Sequence, residues 1–258
     1  MKTLKVVKIG GNIIDDATEL SQFLASFATI EGPKILVHGG GKSATQWIEK
    51  LNIPVQMIGG RRITDAQTLD IVTMIYGGKI NKSIVAQLQA NDCNALGFSG
   101  ADGNTILAQK RPVRDIDYGF VGDISKVNTQ VIKLLFSQDI SPVFCALSHD
   151  GNGQLLNTNA DTIASELAAA LSKDFEVELY YCFEKKGVLS DVNDDNSVID
   201  SIDSSTYETL RAQGIIADGM VPKLTNCFDA LDKNVHKICI GDAGMLFQPN
   251  SKFTNVIK

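Results

Sequence analysis

The sequence predicts an α/β fold with a mainly parallel central sheet, and three observations carry that expectation. Residues 4–9 are β-rich and run into Gly10-Gly11. Residues 34–37 repeat the device, ending in His38-Gly39-Gly40-Gly41. Between them Leu20, Phe23, Leu24 and Phe27 recur at the spacing of one helix face over 17–27, behind Asp15 and Asp16. Strand, glycines, helix, strand, glycines, helix is the order of a βαβ unit. It places both glycine turns at the carboxyl edge of the sheet, where open α/β sheets take ligands.

A helix is expected over 43–51, followed by two short strand-like pieces in 53–64 about Gly59-Gly60. Glycine and arginine together make this hairpin a candidate lid over an anion site. Residues 65–91 carry one long helical pattern through Leu69, Val72, Ile75, Tyr76, Ile80, Ile84 and Leu88, with Gly77-Gly78 as a break or a point of close approach. A strand over 94–98, a polar turn over 99–104, small antiparallel strands within 105–127 and a helix over 128–138 follow. A strand over 141–147 then turns at 149–153 and returns through Gln154-Leu155-Leu156. Asn157 to Asp161 caps an Ala-rich helix over 163–171. The last third reads as a strand over 177–183, an acidic loop over 191–195, helices over 204–213 and from Asp218 to 231, a strand over 236–240 and a closing edge strand over 253–257. Composition never shifts sharply, so the chain reads as one continuous two-lobed domain with a soft boundary near Leu171.

The 258 residues suffice for a large buried core, and a net charge of −6 argues against nucleic acid as a partner. Cys93, Cys145, Cys182, Cys227 and Cys239 are scattered and never in C-x-x-C spacing, a pattern of reduced buried thiols rather than a disulfide frame or zinc site. The N-terminus is too charged for a signal peptide, and no run approaches the roughly 18 apolar residues of a membrane span, so a cytoplasmic protein is expected.

Three charged residues stand out by position. Lys8 lies inside an otherwise apolar strand, where a buried ammonium requires a partner. Lys223 follows Pro222 in the first turn of a helix, where the macrodipole opposes a cation by roughly 0.3–1 kcal/mol. Asp161 occupies a helix first turn favourable to its charge, and Asn157 and Asn159 are good capping residues. The glycine run before Lys42 and its helix is neither G-x-x-x-x-G-K-[ST] nor G-x-G-x-x-G, yet bare amides and a helix N-terminus there suit an anion.

The blocks Lys8-Ile9-Gly10-Gly11, Val37-His38-Gly39-Gly40-Gly41, Arg62-Ile63-Thr64-Asp65, Asn157-Thr158-Asn159-Ala160-Asp161 and Asp218-Gly219-Met220-Val221-Pro222-Lys223 share an order and spacing with the amino-acid kinase family, which the chain resembles over essentially its whole length. The first, second and last resemble related carbamate, aspartate and uridylate kinases as well. The Arg62 and Asn157-to-Asp161 blocks resemble the acylglutamate branch, which serves arginine synthesis.

That resemblance implies an open αβα sandwich, the amino-acid kinase fold. Residues 1–171 would bind the N-acyl-L-glutamate and form the dimer, and residues 172–258 would bind ATP. The implied reaction moves the γ-phosphoryl of ATP to the side-chain carboxylate of N-acetyl-L-glutamate, giving an acyl phosphate. Such chemistry asks mainly for positioning and positive charge, which Lys8 and Lys223 would supply from opposite lobes, oriented by Asp161. Gly10, Gly11 and Asn159 would contact the transferring phosphoryl, Gly40 and Gly41 the attacking carboxylate, and Arg62 with Asn157 the α-carboxylate. No general base is needed, and Mg²⁺ is expected on the ATP phosphates without a dedicated cage of protein acids.

Two departures from the family pattern bear on this. Cys182-Phe183-Glu184-Lys185-Lys186-Gly187-Val188-Leu189 stands where the family has an Asp before Gly-Val-Leu on the nucleotide side. Arg61 stands where an apolar residue is common, making it a candidate contact to the acyl group and opening the alternative of N-succinyl-L-glutamate. A non-catalytic, ATP-binding regulatory member of the fold is the other alternative. In arginine-sensitive relatives an extra N-terminal helix links dimers into a ring. Here the first strand begins within a few residues of Met1, so the expectation is an arginine-insensitive homodimer, with the helix around 71–88 as its candidate interface.

Overall fold

The computed structural model describes every residue except Gly59, Gly60 and Asp218. The chain begins with β1 (Thr3–Ile9), a short α1 (Gly11–Asp15), α2 (Ala17–Ala28), β2 (Lys34–His38) and α3 (Gly41–Lys50). A hairpin of β3 (Met57–Ile58) and β4 (Arg61–Arg62) leads to α4 (Ala66–Val72) and α5 (Asn81–Ala90), then β5 (Ala95–Phe98), β6 (Ile106–Lys110), β7 (Gly122–Val127), α6 (Thr129–Ser137), β8 (Ser141–Phe144), β9 (Leu147–His149), β10 (Leu155–Asn157) and α7 (Ala160–Leu171). The remainder is β11 (Glu176–Cys182), β12 (Ser201–Ile202), α8 (Ser204–Ala212), α9 (Met220–Asp232), β13 (Lys237–Gly241), α10 (Gly244–Phe247) and β14 (Thr254–Val256).

Eight strands form the main sheet in the order β12-β14-β13-β11-β1-β2-β8-β5, parallel throughout except for the β13–β14 pair. Every residue of β2 and of β8 is buried, which requires cover on both faces of the sheet and accounts for the runs of apolar residues instead of alternation. The sheet is the expected mainly parallel one, with helices on both sides. β1 is flanked by β2 on one side and β11 on the other, so the strand order reverses at β1. Open sheets bind ligands beyond the carboxyl end of such a switch point, which is where Gly10 and Gly11 lie. A smaller sheet, β10-β9-β6-β7, carries Asn157 at its margin beside Thr158 to Asp161.

Two elements differ from the expectation. The long helix over 65–91 is continuous but not uniform: α4 passes into a π-helical stretch, Thr73–Ile80, before α5. Gly77 and Gly78 lie in this stretch and serve no close approach, since a Cβ at Gly77 would meet Leu147 only at 3.6 Å and one at Gly78 would meet nothing. The tight packing is elsewhere: a Cβ at Gly40, whose φ is +151°, would collide with Ile80 and press on Tyr76 at 3.0 Å. π-turns concentrate at functional sites, and this one sets two side chains under the glycine turn. The closing strand β14 is not an edge, because the two-residue β12 pairs outside it. The turn at Gly59-Gly60 and the helix start at Asp218 lie outside the described residues. All five cysteines are buried and free, and no helix among the described residues is long and apolar enough to cross a membrane.

His38, the last residue of β2, is fully buried; its Nδ1 lies 2.8 Å from the Gly39 carbonyl and its Nε2 3.0 Å from Asn81 Nδ2. Burial pulls its pKa down to about 4, with the Gly39 carbonyl opposing. A base whose folded pKa is depressed stabilises the fold fully above its unfolded value and progressively less as pH falls through the interval. Wild-type stability is therefore expected to drop between pH 6.5 and 4 by about 3 kcal/mol more than that of His38→Gln. Urea unfolding at stepped pH measures it, and parallel pH dependences of the two proteins would refute it.

Candidate active site

Lys8 owes its direction to the pleat of β1: Val7 and Ile9 face the opposite side, and Lys8 shares its face with its register neighbour Tyr181 of β11. α7 packs over this face, and Asp161 is its second residue. α9 packs beside α7 and brings Lys223 in its own first turn. The three side chains meet: Lys8 Nζ lies 2.7 Å from Asp161 Oδ1 and Lys223 Nζ 2.8 Å from Asp161 Oδ2. Their side chains are only 13%, 11% and 16% exposed for Lys8, Lys223 and Asp161. Lys8 thus has the partner its strand position demands, and Lys223 has the anion its helix position lacks.

Two ammoniums against one carboxylate leave one net positive charge at the edge of a cleft. Burial pulls the pKa of Lys8 below its ordinary value, opposed by Asp161 and reinforced by Lys223. Burial alone would raise the Asp161 carboxyl; Lys8 and Lys223 outweigh it and hold the group well below the usual carboxylate range. Asp161 is therefore a fixed anion that orients two cations, and it is not available as a proton acceptor near neutral pH.

The cleft, about 340 Å³, is lined by all the residues singled out from the sequence except Lys223. Gly10, Gly11, Gly40 and Gly41 form its glycine walls, and Arg61, Arg62, Asn157, Asn159 and Asp161 border it. Their polar groups are not equally free. Gly10 N–H donates to the Cys182 carbonyl at 3.1 Å, so the open amide of that turn is that of Gly11, the first residue of α1. Gly41 likewise opens α3. Asn159 Oδ1 caps α7 by accepting from Asp161 N at 2.8 Å and Thr162 N at 3.1 Å. Asn157 Nδ2 donates to Thr64 Oγ1 at 3.0 Å.

Arg62 is 7% exposed and anchored through one nitrogen, Nη2 donating to the Gly41 carbonyl at 3.0 Å and to Thr45 Oγ1 at 2.6 Å. Its Nη1 is buried with no partner among the described residues. An orphaned guanidinium donor beside a cleft is costly unless an acceptor arrives, and a carboxylate is the acceptor that the fork fits. Arg61, half-buried, stands on the same cleft, and its pKa is lowered by burial and then by nearby Arg111. Arg111 and Asp123 also border the cleft and were not legible in the sequence. Arg111 Nε lies 3.1 Å and 3.2 Å from the two Asp123 oxygens. That pairing depends on the register of β6 on β7, which opposes Lys110 to Gly122, and no local pattern announces it.

No group of three or more His, Cys, Asp or Glu able to hold a metal occurs among the described residues. Asp161, the acid nearest the lysines, already carries two ammoniums. A metal carried on the phosphates of a ligand would meet Lys8, Lys223 and the Gly11 amide here.

A buried carboxylate holding two lysines from opposite sides, glycine amides at a switch point and an arginine with an unpartnered Nη1 give this cleft the cations and N–H donors that suit an anionic, phosphate-bearing ligand. The amino acid kinase family model matches residues 3–242, and the chain belongs to that family. Acetylglutamate kinase of Cytophaga hutchinsonii is 55% identical over 96% of this chain and 94% of its own length, and acetylglutamate kinase of Phocaeicola vulgatus is 55% identical over 92% of each. Among solved structures, smu.665 from Streptococcus mutans superposes with a TM-score of 0.79 at 23% identity, covering 97% of this chain and 98% of that one, a likeness of fold.

Proposed function

We propose that this protein transfers the γ-phosphoryl group of ATP to the side-chain carboxylate of N-acetyl-L-glutamate, a step of arginine synthesis. The observation that carries this is the Lys8–Asp161–Lys223 cluster at the switch point, in a chain 55% identical to acetylglutamate kinases. One carboxylate oxygen forms the new bond to Pγ, the bond from Pγ to the bridging oxygen breaks, and ADP leaves with that electron pair. No proton needs to move, because the nucleophile is already ionised; this agrees with an Asp161 that cannot act as a base. Lys8 and Lys223 neutralise charge spread over the transferring group, and the Gly11 amide, with Asn159 beside it, adds donors. The Gly40-Gly41 turn holds the attacking carboxylate. Arg62 takes the α-carboxylate through its free Nη1, with Asn157 alongside.

In this reading residues 1–171 hold the acylglutamate and residues 172–258 the nucleotide, with Mg²⁺ arriving as the ATP salt. The protein works in the cytoplasm as a homodimer joined along residues 71–88, where Met74 is a large apolar side chain left 60% exposed. Light scattering is expected to give the mass of two chains with or without arginine; an arginine-responsive hexamer would contradict it. ADP release coupled to N-acetyl-L-glutamate tests the activity itself. ATP binding without acceptor-dependent ADP release would instead favour a regulatory, non-catalytic member of the fold.

Arg61 beside Arg111 on the cleft favours a second reading, the same chemistry on N-succinyl-L-glutamate. A charge-assisted contact to the extra carboxylate is worth about tenfold to a hundredfold in kcat/KM when partly desolvated. Arg61→Leu should then lower kcat/KM for the succinyl substrate by that factor and leave the acetyl substrate nearly untouched. A preference for the acetyl substrate that Arg61→Leu does not alter removes this reading.

A further inference from the structure

Tyr181 is among the largest fully buried side chains of the protein, 1% exposed, at the register position opposite Lys8. Its ring lies under the Lys223 ammonium, 4.9 Å from Nζ to the centroid. Its hydroxyl donates to the backbone carbonyl of Asp161 at 3.1 Å. One side chain therefore touches the cation delivered by α9 and the helix turn of α7 that delivers its counter-ion, while its strand carries it beside the third member.

The aromatic face answers a specific difficulty. Lys223 sits in the first turn of α9, where the helix dipole repels it, and the carboxylate that balances it is shared with Lys8. A ring beneath the ammonium supplies negative quadrupole without adding a full charge, so the cluster keeps its net positive charge for an incoming phosphate. An aliphatic side chain of similar bulk would fill the volume but leave Lys223 to find other rotamers. The hydroxyl adds a fixed height for the first turn of α7. β11 stacks Lys8, Tyr181 and Ile240 in one row across the sheet, which makes the seat rigid.

We propose that Tyr181 is a positioning residue for phosphoryl transfer: its ring seats Lys223 and its hydroxyl sets the turn that carries Asp161. The inference rests on the kinase reading above. Its effect falls on kcat, because Lys223 acts on charge that develops in the transition state, whereas ground-state binding belongs to Arg62, Asn157 and the glycine turns.

The test compares Tyr181→Leu with Tyr181→Phe in the full-length protein by steady-state kinetics and by NMR of Lys223. Tyr181→Leu is expected to lower kcat about tenfold, with KM for ATP and for N-acetyl-L-glutamate within about twofold of wild type. Tyr181→Phe, which keeps the ring, should stay within about threefold in kcat. The Lys223 ε-methylene protons, assigned by their loss in Lys223→Arg, should be ring-shielded in wild type and Tyr181→Phe and lose that shielding in Tyr181→Leu. Wild-type kcat in Tyr181→Leu, equal damage from both substitutions, or unshielded Lys223 protons in the wild type would each overturn the proposal. Should Tyr181→Leu fail to fold, the wild-type and Tyr181→Phe resonances decide it. A wild-type protein without turnover would refute the kinase reading, and the resonances would still judge the seat.

Discussion

Lys8→Ala and Lys223→Ala are each expected to lower kcat by about 10²–10³-fold, or roughly 3–4 kcal/mol of transition-state stabilisation, on the scale of losing one preorganised donor to a developing anion. The fold is expected to survive in both, because Asp161 retains one of its two partners: Lys223 at 2.8 Å in the first case and Lys8 at 2.7 Å in the second. Neither substitution touches Arg62 or Asn157, so KM for the acylglutamate moves far less than kcat. Acceptor-dependent ADP release, with thermal unfolding as the control for folding, measures the effect. Wild-type kcat in either variant would remove that lysine from the mechanism.

The second large effect is on stability. Asp161→Asn leaves two ammoniums, 13% and 11% exposed, facing each other without their shared anion. Deleting one member of a buried ionic cluster costs about 3–5 kcal/mol, most of it the burden of charges left unpaired. Urea unfolding at neutral pH should show that loss as a lower midpoint at unchanged slope. The acid limb provides a second signature. Because Lys8 and Lys223 hold the Asp161 carboxyl below its ordinary range, its contribution is fully present above the unfolded carboxylate value and is lost as pH falls below it toward the folded one. The wild type should therefore lose stability below about pH 4 where Asp161→Asn, already weaker, stays flatter. Equal stability of the two proteins at pH 7 would contradict the geometry described for the cluster.

Much of the site was legible because it broke local rules. A lysine in an apolar strand and a lysine in a helix first turn are both unfavourable on their own, and each pointed to an anion before any partner was known. The glycine turns were legible from strand-to-helix order, and Arg62 from its block. Arg111, Asp123 and Tyr181 broke no rule. Arg111 precedes a proline in an apparent turn, Asp123 reads as a solvated strand residue, and Tyr181 reads as one more aromatic in a buried strand. The Gly10 amide looked free and is not, because its acceptor, the Cys182 carbonyl, comes from a strand far along the chain.

The sequence by itself determined the parallel α/β architecture, through the period of its apolar residues and the glycines that end its strands, and it determined which charges needed company. It could not determine the company. Lys8, Asp161 and Lys223 come from three separate elements, and only the placement of β11 beside β1, with α7 and α9 packed over that face, brings them within 2.8 Å. The same holds for the π-helical turn under Gly40 and for the orphaned Nη1 of Arg62. Local preference acts over a few residues, whereas burial, register and desolvation are settled only when distant segments close on one another, and those are the terms that make this cleft cationic.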